Sequence, residues 1–382
     1  MRVGFDATNI LGHGGIKTYA RELIKALASE YPESKLILYT TNSSFKKEKL
    51  LRLFEKYPSI EVCTGLPHAR MLGDSLRWLS GLLGALYWRV LDRNLDLVHL
   101  TDPYSVAGYP RKFAVTIHDL FPLTRDELSN SHLNRFYRRE TPLILRRAEA
   151  VITPSLYIAA EIQRLYPDHA RIIHAVPEAA DSTFQPMNRD DSVLSGYGLD
   201  KIRYFLFVGR VDSRKNLQRL IDAYNGLDVG FRDGGGGGVH LALVLSGHNS
   251  FEADFAEKDY LHVLRDVPQN DIIQFYSSAD ALVFPSLDEG FGLPVLEAMQ
   301  CGCPVITSNC ASLPEVAGDA AILVDPESVS EIRLALQLLS CSSEKREELR
   351  KQGFDQARRF SWKKAARETM EIYSRAVDAS LK

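Results

Sequence analysis

The chain reads as α/β, with two doubly wound parallel sheets facing each other across a cleft. Short apolar runs alternate with helix-period segments along nearly all of it, which argues for parallel sheets covered on both faces. The alternation breaks from Pro177 to about Asp200 into Pro, Asn, Asp, Ser and Gly, the composition of a linker. At 382 residues, two domains are the expectation. The boundary is placed at 180/181, giving an N-terminal domain of residues 1–180 and a second domain of 181–360.

In the first half, Arg2 to Asp6 is a short apolar strand. The loop Leu11-Gly-His-Gly-Gly15 leads into a helix from Ile16 to Ser29, whose apolar positions are Ile16, Tyr19, Ala20, Leu23, Ile24 and Leu27. Strand, glycine loop and helix make a phosphate-type first turn, with Gly14 and Gly15 at its centre, although the full G-x-G-x-x-G is absent. Further strands are expected at Lys35–Thr40, Ile60–Cys63, Asp96–Leu100, Phe113–Ile117, Ala150–Thr153 and Arg171–Ala175. Helices fill the intervals, including an apolar one over residues 73–91.

In the second half, Tyr204 to Val208 is a strand followed by Gly209-Arg210. Val239 to Leu245 is another, ending at Ser246-Gly247. Leu261 to Val267 is a weak strand, and Ala281 to Phe284 a buried one. Pro304 to Thr307 and Ala321 to Val324 complete the sheet, and the chain is helical from Ser328 onward. The five glycines Gly234 to Gly238 read as a flexible loop or as a hinge near the site.

The composition excludes several functions. The chain is 45% hydrophobic and 25% charged, with a net charge of −3, so it carries no global basic field for nucleic acid. Its start runs straight into a strand without a signal segment, so a cytoplasmic protein is expected. No run reaches the ~18 apolar residues of a membrane span. Leu79 to Trp88 comes nearest, and reads as a core helix or as a peripheral membrane contact of the N-terminal domain at the inner face. The arginines 135, 138, 139, 146 and 147 read as a solvated helix face, or as a patch for anionic lipid or a phosphorylated acceptor. The five cysteines lack zinc spacing and read as small buried fillers.

In doubly wound sheets, ligands sit at the carboxyl ends of strands. The richest such end is Pro285-Ser-Leu-Asp-Glu-Gly-Phe-Gly-Leu-Pro-Val-Leu-Glu297. Its turn aims backbone N–H groups at the positive end of a helix dipole, which suits an anion. Glu289 and Glu297, with seven residues between them, suit hydroxyls beside that anion. Phosphate plus hydroxyls means a sugar phosphate or a nucleotide sugar. Arg210 and Lys215 follow another strand and can hold a pyrophosphate and stabilise it as a leaving group, or form a solvated charged loop. His118 ends a strand, as a hydrogen-bond donor, a general base or a structural residue. No Asp-x-Asp occurs, so no metal is expected and the protein's own cations neutralise the leaving group.

Four segments carry a resemblance. They are Gly14-Gly15; Phe207-Val-Gly-Arg210 with Lys215-Asn216; Phe284 to Met299, which contains an E-x7-E motif; and Pro304-Val-Ile-Thr with Leu313-Pro-Glu-Val-Ala-Gly318. The chain resembles a retaining glycosyltransferase of family four, with the GT-B fold of two Rossmann-like domains, over essentially its whole length. The resemblance implies that Arg210 and Lys215 hold the donor diphosphate, Glu297 the ribose and Glu289 the donor sugar. It places backbone N–H groups of Phe291, Gly292 and Leu293 on sugar and phosphate, with Gly14, Gly15, Ser246 and Gly247 also lining the substrate. His118 would touch the donor sugar near the reacting face. The base would lie near Arg265, Asp266 and Val267, where this chain departs from the usual Gly-aromatic pattern. The last helix, residues 361–382, would pack back on the N-terminal domain, which serves the acceptor.

The implied reaction moves a sugar, glucose from UDP-glucose in the first instance, to a hydroxyl of a polysaccharide, glycolipid or other glycoconjugate. It uses no metal or other cofactor. Transfer of mannose from GDP-mannose, a non-catalytic nucleotide-sugar-binding subunit, and an epimerase acting on the donor alone are the alternatives.

Overall fold

The structure is a computed structural model that describes residues 1–8, 10–11, 14–41, 43–66, 88–104, 108–232, 238–246 and 259–379. Most of the expected apolar helix over 73–91, Gly12, Gly247 and four of the five consecutive glycines lie outside the described residues. The chain divides into two compact units. One is Met1–Glu178 together with Ser361–Lys382, and the other is Ala179–Phe360.

The first unit is built on seven parallel strands: β1 (Arg2–Asp6), β2 (Lys35–Thr41), β3 (Ile60–Leu66), β4 (Leu97–Leu100), β5 (Phe113–Thr116), β6 (Ala150–Thr153) and β7 (Ile173–Ala175). They lie in the order β3-β2-β1-β4-β5-β6-β7. Successive side chains of a strand point to opposite faces, and the two apolar layers divide accordingly. Leu36 and Leu38 join one layer with Phe5, Leu23 and Leu27. Ile37 and Tyr39 join the other with Val98, Phe113, Val115 and Ile144. β7 is shorter than expected because Pro167 starts a 3₁₀ turn that runs to Ile172.

The last helix, Trp362–Ala379, belongs to this unit. Ala365, Ala366, Thr369, Met370, Tyr373 and Ala376 are its buried stripe, at the spacing of one helical face. They pack in the layer that holds the first helix, Gly15–Glu30. Glu30 accepts from Lys363 at 3.1 Å and Arg367 at 2.9 Å, which fixes the pairing of the two helices at one end.

The second unit carries six parallel strands: β8 (Arg203–Arg210), β9 (Val239–Ser246), β10 (Leu261–Arg265), β11 (Ala281–Phe284), β12 (Val305–Ser308) and β13 (Ile322–Val324). Their order is β10-β9-β8-β11-β12-β13. Both sheets therefore reverse their winding at one place, between β1 and β4 and between β8 and β11. These are the two switch points at which open α/β sheets bind ligands.

Of the cysteines, Cys301 and Cys303 are buried fillers as expected. Cys63 and Cys310 are half-buried and Cys341 is exposed at the end of the helix Val329–Cys341, so the expectation holds for two of the five. Among the described residues no helix is long and apolar enough to cross a membrane.

Candidate active site

In the second unit, the loops after β8 and β11 are stitched together. After β8, Asp212 accepts from the backbone N–H of Arg214 and caps a turn of 3₁₀ helix, Ser213–Lys215. Asn216 then takes a left-handed conformation, φ 57°, which Asn tolerates better than most residues. From there its buried side-chain amide donates to the carbonyls of Pro285 at 3.0 Å and Pro326 at 2.6 Å. Leu287 N–H donates to the Arg214 carbonyl at 2.7 Å. These bonds set Lys215 opposite Glu289, and the two form an ion pair in which the side chains are 13% and 11% exposed. The Lys215 ammonium also lies 4.8 Å from the centre of the Phe284 ring, within cation–π range.

The glycine turn that carries Glu289 is held from below. Ser312 Oγ lies 2.8 Å from the Glu289 carbonyl and 2.9 Å from that of Phe291. Gly292 has φ 104° and precedes the helix Leu293–Gln300; a Cβ there would meet Leu313 Cδ2 at 2.7 Å. Both the conformation and the space demand glycine. No side chain caps this helix. Pro294 has no N–H and Val295 N–H donates to the Gly292 carbonyl at 3.0 Å, so the Leu293 N–H is what the first helical residues can offer beside Glu289. The side chains of Phe291 and Leu293 are buried in the core, which leaves their backbone as the part that can face a ligand.

Glu297 sits one turn into that helix. Burial raises its carboxyl to about 7, with Asp181 adding to the rise and a hydrogen bond from Tyr276 opposing it. The Tyr276 hydroxyl donates to Oε2 at 3.2 Å, which orients the carboxyl group. Arg210 is the last residue of β8, pairs in register with Ser246 at the end of β9, and is exposed. Asp266 follows β10 with φ 50°, and Val267 comes next, before the helix Gln269–Ser278. Gly247 lies outside the described residues.

In the first unit, Gly14 has φ 121° and opens the helix Gly15–Glu30 without a side-chain cap. A small pocket at the β1/β4 switch point is lined by Asp6, Thr8, Lys17, Thr101 and Asp102. Burial lifts the Asp6 carboxyl to about 6; the N–H and hydroxyl of Thr8 lower it, and the Asp102 charge raises it further.

His118 has both ring nitrogens engaged within this unit. Nε2 lies 2.9 Å from the Thr101 carbonyl and Nδ1 lies 3.2 Å from Glu178 Oε1. Behind it runs a buried chain: Tyr373 Oη to His99 Nδ1 at 2.5 Å, His99 Nε2 to Thr116 Oγ1 at 2.8 Å, and Thr116 Oγ1 to Tyr19 Oη at 2.7 Å. Burial and the neighbouring His118 hold His99 down at about 3, so it is neutral and donates at one nitrogen while accepting at the other.

Two family models divide the chain. One, described as Glycosyltransferase Family 4, matches residues 13–184. The other, Glycosyl transferases group 1, matches residues 197–356. The chain belongs to glycosyltransferase family four. This family-four glycosyltransferase is 29% identical over 384 residues to the O-antigen chain mannosyltransferase B of Escherichia coli, covering 94% of this chain and 95% of that one. It is 29% identical over 298 residues to the serotype-specific mannosyltransferase WbdA of Escherichia coli, covering 73% of this chain but 36% of that longer protein. Among solved structures, sucrose-phosphate synthase from Thermosynechococcus elongatus superposes with a TM-score of 0.76 at 19% identity, over 99% of both chains. HepE of Anabaena, in complex with UDP-glucose, superposes at 0.72 and 17% identity, over 98% of this chain and 99% of that one. The fold of this glycosyltransferase is GT-B, with two Rossmann-like domains.

Sequence reasoning missed several of the residues that shape these sites. Tyr276, Ser312 and Glu178 act through partners 21 to 60 positions away, and no local spacing marks them. Glu178 did leave a trace, as a lone carboxylate in the run Val176-Pro-Glu-Ala-Ala180.

Proposed function

We propose that this glycosyltransferase moves a hexose from a nucleotide sugar to a hydroxyl of a glycoconjugate, with retention at the anomeric carbon and without a metal ion. The observation that carries this reading is the Lys215–Glu289 pair beside an uncapped helix N-terminus, at the switch point of the second sheet. A cation and the positive end of a helix suit a diphosphate, and a carboxylate next to them suits sugar hydroxyls. Lys215 and Arg210 would hold the diphosphate, Glu289 the transferred sugar and Glu297 the ribose. Backbone groups at Gly292 and Leu293 would lie between sugar and phosphate, and Ser246, Asp266 and Val267 would border the nucleotide.

The leaving phosphate would take the acceptor's proton while the acceptor attacks the same face, so no protein nucleophile is required. Displacement through a covalent intermediate would also retain configuration. The cations on Lys215 and Arg210 meet the charge on the leaving group, which removes the need for a divalent ion.

Two donors rest on separate observations. UDP-glucose is the first reading, supported by a fold neighbour that binds it. GDP-mannose is the second, favoured by the mannosyltransferase relatives. An O-antigen relative also supports a carbohydrate or lipid-linked acceptor. Arg135, Arg138, Arg139, Arg146 and Arg147, exposed on the helix Ser131–Arg147, could meet it at the inner face of a membrane.

Incubation with each donor and a panel of lipid-linked and free glycans, in EDTA, tests this reading. Release of one nucleoside diphosphate with an acceptor-dependent, configuration-retained product supports it. Donor binding without turnover on any acceptor would favour a binding subunit, and donor conversion without acceptor an epimerase.

A further inference from the structure

The two partners of the His118 ring constrain where its protons sit. The Thr101 carbonyl can only accept, so the nitrogen 2.9 Å from it, Nε2, carries a hydrogen. When Glu178 is ionised its carboxylate can also only accept, and Nδ1, 3.2 Å from Glu178 Oε1, then carries one as well. A ring that donates at both nitrogens is an imidazolium. The His118 and Glu178 side chains are 12% and 4% exposed, so solvent cannot replace either partner cheaply.

The groups around the ring agree. The Tyr19 ring meets it edge-on at 4.7 Å between centroids and brings no charge. His99, on β4, is neutral. Asp102, beyond β4, is a second carboxylate whose field reaches the ring. Burial works against the charge on His118, but the bond and field of Glu178, the Thr101 carbonyl and Asp102 together raise its pKa above the ordinary value.

We infer that Glu178 is a positioning residue that holds His118 as a doubly protonated, fixed cation between itself and the Thr101 carbonyl, so that His118 serves the transferase as a charge and not as a proton acceptor. This rests on the proposed glycosyl transfer for its role in catalysis, but the protonation state stands on this unit's geometry. The imidazolium ties the ends of β4 and β5 to the residue that closes the first unit, within the field of Asp102. The proton lost by an acceptor hydroxyl must then leave by another route.

The test is nitrogen-15 NMR of the full chain with labelled histidine, in wild type, Glu178→Gln and Glu178→Asp, followed through pH. In wild type both His118 nitrogens should report as protonated at pH 7, with a midpoint above the ordinary 6.5. Glu178→Gln should lower that midpoint by about one unit or more and shift the alkaline limb of the kcat profile with it. Glu178→Asp should restore part of both. A bare Nδ1 in wild type at pH 7 would overturn the inference, as would a midpoint that Glu178→Gln leaves in place. The wild-type spectrum decides even where a variant fails to fold. It needs no donor or acceptor, so a failed transfer assay leaves it standing.

Discussion

Lys215 and Glu289, 74 positions apart, form an ion pair that joins the loops at the carboxyl ends of β8 and β11. Each side chain has another task in the proposed reaction, the lysine on phosphate and the carboxylate on sugar. The pair keeps both in place and mutually neutralised before a donor arrives.

Removing one partner of a largely buried pair strands the other. Lys215→Ala should therefore destabilise the chain by about 2–3 kcal/mol, while the neutral isostere Glu289→Gln should cost less because it can still accept from Lys215. Urea denaturation of the two variants checks the order. Equal costs would mean that the ion pair contributes little.

Glu297 should make stability fall with pH. Below 4.5 its carboxyl is protonated in both folded and unfolded chains. From there to about 7 the folded chain keeps a proton that the unfolded chain has lost, so stability declines across that window by about 3 kcal/mol. Glu297→Gln lacks this decline, so its melting temperature relative to wild type should climb between pH 5 and 8. If ribose hydroxyls donate to the ionised form, nucleotide binding near pH 6 should also release a proton, read by calorimetry in buffers of different ionisation enthalpy.

Gly292→Ala places a Cβ 2.7 Å from Leu313 Cδ2 on a backbone with φ 104°. A loss of about 2 kcal/mol or more is expected. Turnover should drop further than the stability change explains, since the N–H groups of this turn would shift. A Gly292→Ala enzyme with normal kcat would separate the turn from the chemistry.

Tyr373→Phe removes the last helix's bond to His99 and leaves a buried nitrogen without its partner. A cost of about 1–3 kcal/mol is expected, seen as a lower melting temperature, with nucleotide affinity unchanged because the residues proposed to hold the nucleotide lie in the other unit.

Much of the fold was legible because parallel sheets announce themselves as apolar runs between amphipathic helices. Ala150–Thr153 and Ala281–Phe284 are buried throughout and were read to the residue. β7 was read two residues too long because the apolar pair Ile172-Ile173 masks the 3₁₀ turn begun at Pro167. At the candidate site the glycine turn and both glutamates stood out, since turns and charges are local signals. What holds them did not. The left-handed Asn216, the Tyr276 bond to Glu297 and the Glu178 bond to His118 depend on which strand ends become neighbours, and a single sequence does not display that.

In the proposed reaction the β8/β11 switch point holds the donor's diphosphate through Lys215. Titration calorimetry of UDP and GDP against wild type, Lys215→Ala and Glu289→Gln, each checked for native circular dichroism, tests it most directly. One of the two nucleotides should bind wild type. Lys215→Ala should weaken it by about 10-fold or more, and Glu289→Gln should bind it as tightly as wild type or tighter, because Lys215 no longer faces a competing carboxylate. Unchanged affinity in Lys215→Ala would contradict the claim.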